Sequence, residues 1–256
     1  MSSARPLVSV GIPTYNRLAK LQQSLPRVLA QTYSPLEIVV SDNASVDGTE
    51  AWCRELAARD ARVRYLRQPR NIGPTANYVA VLEAARGELY SALADDDWVD
   101  ERWVERCAEE LLGDPSLVLV TGRARMHESG QFVRDGVKMD LLDESPADRV
   151  VRYYEEVVEN TVFHGVVRRD RVLALPRLPN TMGGDWLFMA SIAFTGRMKT
   201  IESTRIVKHA GGASRTFDHI ADVLGLSPLQ KRFALESIAV SAVADIGWRS
   251  PVYRSL

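Results

Sequence analysis

Cysteine is scarce: the 256 residues hold only Cys53 and Cys107. Their spacing matches neither a metal site nor the dense framework of a disulfide-stapled secreted domain. Each falls in a helical pattern, so both read as reduced core thiols. Charge of one sign is also lacking. Lys and Arg number 32 against 33 Asp and Glu, a net of -1, and without a basic excess no nucleic acid is expected as a partner. Long apolar runs are missing as well. Leu7 to Ile12 is too short for a signal peptide, and the longest other candidate, LESIAVSAVADIGW, carries Glu236 and Asp245 and falls short of the roughly 20 residues of a membrane span. A cytoplasmic protein without a transmembrane segment is expected. Peripheral membrane contact stays open, because a soluble protein can act on lipids. No internal repeat or low-complexity tract is present.

What is there is an α/β pattern. With 46% apolar and 25% charged residues, the chain can bury a substantial core as one large α/β domain or two small ones. The runs LVSVGI, LEIVVS, VRYLRQ, ELYSAL and LVLVTG alternate with amphipathic helical patterns, which predicts βαβ units and a mainly parallel sheet. Leu18, Leu21, Leu25, Val28 and Leu29 share one helical face, with Pro26 predicting a kink or restart. Trp103, Val104, Cys107, Ala108, Leu111 and Leu112 form a second such stripe. Beyond Arg123 the regularity weakens, as in a substrate-side loop or small hairpin. Helices are expected over 149–159, from near Asp185, and as one final helix over 227–248, with strand and loop from Met198.

In open α/β sheets ligands sit at the carboxyl ends of strands. Four polar segments follow strands here: PTYNR (Pro13 to Arg17), SDNASVDGT (Ser41 to Thr49), NIGPTAN (Asn71 to Asn77) and DDDW (Asp95 to Trp98). Asp47 can cap the helix after it, while Asp42 at a strand end can accept from a base N–H or a ribose hydroxyl. The three aspartates admit two readings. One is a solvated turn, with Asp100 capping the next helix. The other is a site for Mg²⁺ or Mn²⁺, hard cations that take carboxylates together with substrate phosphates; no strongly basic pocket is evident to serve in the cation's place.

Taken together, VSVGIPTYNR, EIVVSDNASVDGT, RNIGPTAN and ADDDW, in that order, resemble the family 2 glycosyltransferases of the GT-A fold. The resemblance covers about the first half closely and the second half more loosely, through HGVVRR, GGDWLF and KHAGGAS. It implies an α/β, Rossmann-like, mainly parallel sheet flanked by helices, with a smaller acceptor-side α+β portion. Residues 1–122 would form the nucleotide-sugar-binding half and 123–256 the acceptor-binding half of one domain. It implies an inverting transferase moving a sugar from a nucleoside-diphosphate sugar, uridine-linked in the first instance, with thymidine- or guanosine-linked donors as alternatives. The acceptor would be a hydroxyl on a glycan, lipid-linked or small molecule.

Residue by residue, the resemblance implies that Pro13, Tyr15 and Arg17 line the base and ribose side, that Asp42 binds the nucleobase, and that Asn71 and Asn77 lie near ribose or diphosphate. Asp95 and Asp96 would face ribose or donor sugar. Asp97 would bind Mn²⁺ or Mg²⁺, His209 would approach the metal or diphosphate, and Asp185 would be the catalytic base. One departure is that Gly183 and Gly184 precede Asp185 where the family often has a Glu-Asp pair, so a helix-capping Asp185 stays open. Trp186 reads as a sugar platform or as core, and His164 as substrate-facing or as core. Trp98 reads as packing. Arg168, Arg169 and Arg171 read as a solvated face or as a site for an anionic acceptor. Two rivals remain: a binding-only protein of the same fold, and a metal-dependent nucleotidyltransferase. The absence of a glycine-rich, lysine-bearing loop after the first strand argues against the second.

Overall fold

The computed structural model describes residues 5–128, 130–209 and 216–254. Its strands are β1 (Val8–Thr14), β2 (Leu36–Asp42), β3 (Val63–Arg67), β4 (Leu89–Ala92), β5 (Trp98–Val99), β6 (Leu117–Glu128), β7 (Gln131–Asp135), β8 (Val166–Arg168) and β9 (Arg197–His209). Its helices are α1 (Leu18–Leu29), α2 (Thr49–Arg59), α3 (Pro74–Ala84), α4 (Trp103–Gly113), α5 (Pro146–Glu156), α6 (Arg169–Leu173), α7 (Gly184–Thr195), α8 (Phe217–Leu224), α9 (Pro228–Arg232) and α10 (Ala234–Ala244). The strands form one sheet in the order β3-β2-β1-β4-β8-β6-β9-β5, with β7 hairpinned onto β6. The sheet is mainly parallel, as the sequence predicts, and β6 carries it across residue 122, with a register shift against β9 between Gly122 and Arg123.

Alternation along β1 assigns its two faces. Val8, Val10 and Ile12 join a core with Leu21, Leu25 and Val28 of α1 and with Trp103, Val104, Cys107 and Leu111 of α4. The opposite face carries a second core, built from Val81 of α3, Val150 and Tyr153 of α5, and Met189, Ala190 and Ile192 of α7. Gly11 points to that second face. A Cβ there would stand 2.0 Å from Val81 Cγ1 and 2.6 Å from the Tyr90 hydroxyl, so only glycine lets α3 lie this close to β1.

The strand directions explain how distant segments meet. β8 runs antiparallel to both β4 and β6, and β9 runs parallel to β6. Two reversals restore the original direction, so the end of β9, with Lys208 and His209, reaches the same sheet edge as the ends of β1, β2 and β4.

Several expectations need correction. Of the kink or restart expected at Pro26 the restart does not occur, since one helix, Leu18–Leu29, runs through it. The single helix expected over 227–248 is instead α9, then α10, then a π-helical turn at Asp245–Arg249, with Phe233 at φ -121° and ψ 57° interrupting the first two. Asp100 does not cap α4: its carboxylate accepts from the Arg205 N–H at 2.7 Å, tying the Asp triplet's turn to β9. Asp47 accepts from Thr49 but also from the Leu18 N–H at 2.9 Å, so it serves the start of α1 as well. Arg168 is no solvated face, because its guanidinium donates to the carbonyls of Leu117 at 2.9 Å and Leu111 at 2.5 Å. Cys53 and Cys107 are free and buried, as expected.

Candidate active site

β1 ends at Thr14, whose hydroxyl donates to Asp95 Oδ2 at 2.7 Å. Tyr15 follows, 43% exposed. Asn16 then takes a left-handed φ of 51°, which lets its N–H donate to Ser45 Oγ and its side-chain oxygen accept from the Val46 N–H, both at 2.8 Å. Those bonds lock the β1 and β2 loops together and aim Arg17 at the triplet. Its Nη1 lies 2.8 Å from Asp95 Oδ1, and its Nη2 bonds Asp96. A positive partner for two of the three carboxylates therefore comes from the chain itself, where the sequence reading supplied only an outside cation. Burial pushes Asp95 up to about 6, with Arg17 and the Thr14 bond pulling the other way.

The third carboxylate has a different environment. Asp97 is buried, with Oδ2 3.2 Å from Lys208 Nζ and 3.4 Å from His164 Nε2. His164 Nδ1 lies 2.7 Å from the Ala92 carbonyl. A carbonyl only accepts, so Nδ1 carries the proton and Nε2 accepts from Lys208 at 2.8 Å. Burial, reinforced by the Lys208 charge, lowers His164 to about 4, which keeps the ring neutral at neutral pH. Among the described residues, Asp97 Oδ2 is buried with no hydrogen bond of its own, although the Lys208 ammonium stands 3.2 Å away, and His209 Nε2 is buried without one as well.

His209 stands edge-on to Trp98, ring centroids 4.6 Å apart, and the Arg27 guanidinium lies 4.4 Å from that Trp98 ring. Trp98 is thus a packing platform. Burial lowers His209 below the ordinary imidazole value, favouring the neutral form that binds metals. A carboxylate oxygen with no hydrogen bond and a neutral imidazole nitrogen fit a divalent cation whose other ligands are substrate oxygens. Among the described residues no group of three or more His, Cys, Asp or Glu is placed to hold an ion by itself. The rest of KHAGGAS, residues 210–214, lies outside the described residues.

Asp185 sits in the first turn of α7, behind Gly183 in the left-handed region at φ 68°. Asn160 Nδ2 donates to Asp185 Oδ2 at 2.9 Å, and the Tyr153 hydroxyl donates to Asn160 Oδ1 at 3.0 Å. Burial raises Asp185 above the usual carboxylate range; the Asn160 bond, nearby backbone N–H groups and the Lys208 charge oppose it. Lys208 thus acts on Asp97 and Asp185 together. Trp186 is half-buried and packs against both neighbouring apolar clusters.

Other predicted residues are engaged within the fold. Asp42 is fully buried, accepting from Ser45 N–H at 2.8 Å, Tyr65 hydroxyl at 2.6 Å and Arg67 at 2.9 Å. Asn77 is buried and exchanges two bonds with Ser41, at 2.7 and 2.9 Å. Asn71 accepts from Asn43 at 2.8 Å and from Gly73 N–H at 2.9 Å. Pro13 is a buried residue of β1 opposite Ser41. Of the predicted donor-side groups, Tyr15 and Asn71 are exposed and Arg17 is half-buried. Lys208, Asn160 and Tyr153 were missed by the sequence reading. A lysine before His209 at a strand end was a usable signal for the first; Tyr153 is a buried residue of α5 and Asn160 stands in the turn after it, and neither carried a signal.

Comparison with known proteins completes the picture. A 132-residue segment is 31% identical to chondroitin synthase of Pasteurella multocida strain Pm70; it is 51% of this chain and 14% of that protein. The chain thus spans only a small part of such relatives. Among solved structures, S. aureus TarS 1-349 in complex with UDP superposes with a TM-score of 0.62 at 17% identity, over 94% of this chain and 72% of that one. The mannosyltransferase PcManGT of Pyrobaculum calidifontis, in complex with GDP-Man and Mn²⁺, gives 0.62 at 19% identity, over 98% and 78%. At these identities the likeness is one of fold, and that fold is GT-A. The sequence model described as glycosyl transferase family 2 matches residues 9–171, which hold β1, Arg17, the aspartate triplet and His164, and this chain therefore belongs to glycosyl transferase family 2.

Proposed function

We propose that the protein is an inverting glycosyltransferase of polysaccharide biosynthesis that moves a sugar from a nucleoside-diphosphate sugar, UDP-linked, to an acceptor hydroxyl. The observation that carries this reading is the pairing of two unlike carboxylate sites around Lys208. Asp185 is raised by burial and steadied by Asn160, as suits a group that accepts a proton. Asp97 keeps a free oxygen beside a cation at the strand ends, as suits a group that meets a diphosphate.

In a single displacement Asp185 takes the proton from the acceptor hydroxyl as that oxygen attacks the anomeric carbon, and the nucleoside diphosphate leaves toward Asp97. Asp97 and His209 would hold Mn²⁺ or Mg²⁺, and the ion when bound supplies charge neutralisation on the diphosphate. Tyr15 offers a stacking face to the base. Arg17 orients Asp95 and Asp96 toward ribose or sugar. Support for a nucleotide-sugar donor comes from the UDP in the TarS complex and the GDP-Man in the PcManGT complex. A thermal-shift panel of UDP, dTDP and GDP, with and without Mn²⁺, tests the donor: UDP should raise the melting temperature most. No shift with any nucleoside diphosphate overturns the reading.

A further inference from the structure

We propose that the Lys208 ammonium is a tethered cation standing in the divalent-ion position between Asp97 Oδ2 and His164 Nε2, so that Lys208 and a divalent cation compete for one pair of ligand atoms. This goes beyond the ligand set named above by adding His164 as a ligand and Lys208 as the competitor. It rests on the cation reading of Asp97 and not on sugar transfer.

Geometry is the first support. Asp97 Oδ2 and His164 Nε2 are 3.4 Å apart on side chains only 5% and 7% exposed. Two ligand atoms on one ion, each about 2.1 Å from it, stand roughly 3 Å from each other, so this pair is already close to the spacing that a shared ion needs. Lys208 Nζ lies 2.8 Å from one and 3.2 Å from the other.

The hydrogen-bond inventory is the second. His164 Nδ1 is committed to the Ala92 carbonyl at 2.7 Å, which orients the ring and leaves the Nε2 lone pair facing Lys208. A metal-binding imidazole is typically fixed this way, with its far nitrogen donating to a carbonyl. Among the described residues, no hydrogen bond uses the Asp97 Oδ2 lone pairs. A lone buried carboxylate is costly, and Lys208 relieves that cost when no ion is present. An ion that takes Oδ2 and Nε2 must expel the ammonium, because like charges cannot share the gap.

Mn²⁺ binding without nucleotide, followed by electron paramagnetic resonance of the free ion, tests the proposal. Lys208→Met, similar in length and uncharged, should bind Mn²⁺ about tenfold more tightly than the unaltered protein. Adding His164→Asn to Lys208→Met should abolish that gain. Unchanged or weaker Mn²⁺ binding by a folded Lys208→Met overturns the competition, and a gain that survives His164→Asn overturns His164 as a ligand. A measurement on the unaltered protein covers the case in which the variants fail to fold: saturating Mg²⁺ should shift the His164 Nε2 nitrogen resonance and release the Lys208 bond. An unmoved resonance at saturation overturns the proposal. Neither readout uses donor or acceptor, so failure here leaves the transferase reading standing, and failure of transfer leaves this proposal standing.

Discussion

Asn160 donates to Asp185 Oδ2 at 2.9 Å while accepting from the Tyr153 hydroxyl at 3.0 Å, so a neutral amide, itself held in place, favours the ionised form of a carboxylate whose pKa burial raises. Tyr153 is fully buried and belongs to the second core. Packing and proton affinity are linked through one side chain.

Asn160→Ala removes a bond that lowers the Asp185 pKa. Asp185 then ionises at higher pH, and, on the proposed role of Asp185, the acid limb of the kcat/KM profile for transfer should move upward. Tyr153→Phe should move it in the same direction by less, since the amide stays but loses its anchor. A profile unmoved by Asn160→Ala detaches Asp185 from the rate-limiting protonation.

Arg17→Ala strips Asp95 and Asp96 of the cation that the fold places 2.8 Å from Asp95 Oδ1. Because Asp95 is only 3% exposed, its charge loses compensation in a dry site, and urea unfolding at neutral pH should show a loss of about 1–3 kcal/mol. Arg17→Lys should recover part of it, lacking the fork that spans both carboxylates. A loss equal to that of an exposed arginine such as Arg59 would count against the pairing.

His164 and Asp95 oppose each other in the stability profile. Between pH 6.5 and about 4 the unfolded chain protonates His164 while the folded one does not, so this residue makes stability fall as pH falls. Asp95 ionises at about 6 in the folded state against 3.8 ordinarily, so the folded state takes its proton first and stability rises as pH falls through that range. The two slopes oppose each other. Asp95→Asn should expose the His164 slope, worth at most about 3 kcal/mol across the window, and His164→Asn should expose the opposite one. Urea titrations at a series of pH values read both, and parallel profiles for the three proteins would contradict the assignment.

Gly11→Ala places a methyl 2.0 Å from Val81 Cγ1. Overpacking of this kind costs about 1–3 kcal/mol, and the melting temperature should drop. Combining it with Val81→Ala should recover less than the full loss, because the Tyr90 hydroxyl is also within 2.6 Å.

The parts of this molecule legible in its sequence are those set by local periodicity. The alternation of Val8, Val10 and Ile12 and the stripe from Trp103 to Leu111 describe faces that the fold buries as expected, and the polar segments after β1, β2 and β4 gather at one sheet edge. What stayed hidden depends on long-range closure. Lys208 reaches Asp97 because β8 runs antiparallel to both β4 and β6, which sets β6 and its parallel neighbour β9 in the direction of β4, and no local pattern encodes that. Arg168 looks like a surface charge in a basic cluster, yet its donors find the carbonyls of Leu111 and Leu117. Asp42 shows the converse: its position at a strand end reads as a ligand site, while its bonding partners, Tyr65 and Arg67, sit on the neighbouring strand β3.

The central claim is that Asp185 takes the acceptor's proton, and the most direct measurement compares Asp185→Asn with the unaltered protein in two assays on the same preparation: UDP affinity by calorimetry, and release of UDP from UDP-sugars. The account predicts UDP affinity within about threefold and release reduced by about a hundredfold or more. Release at the unaltered rate, with affinity intact, would contradict it.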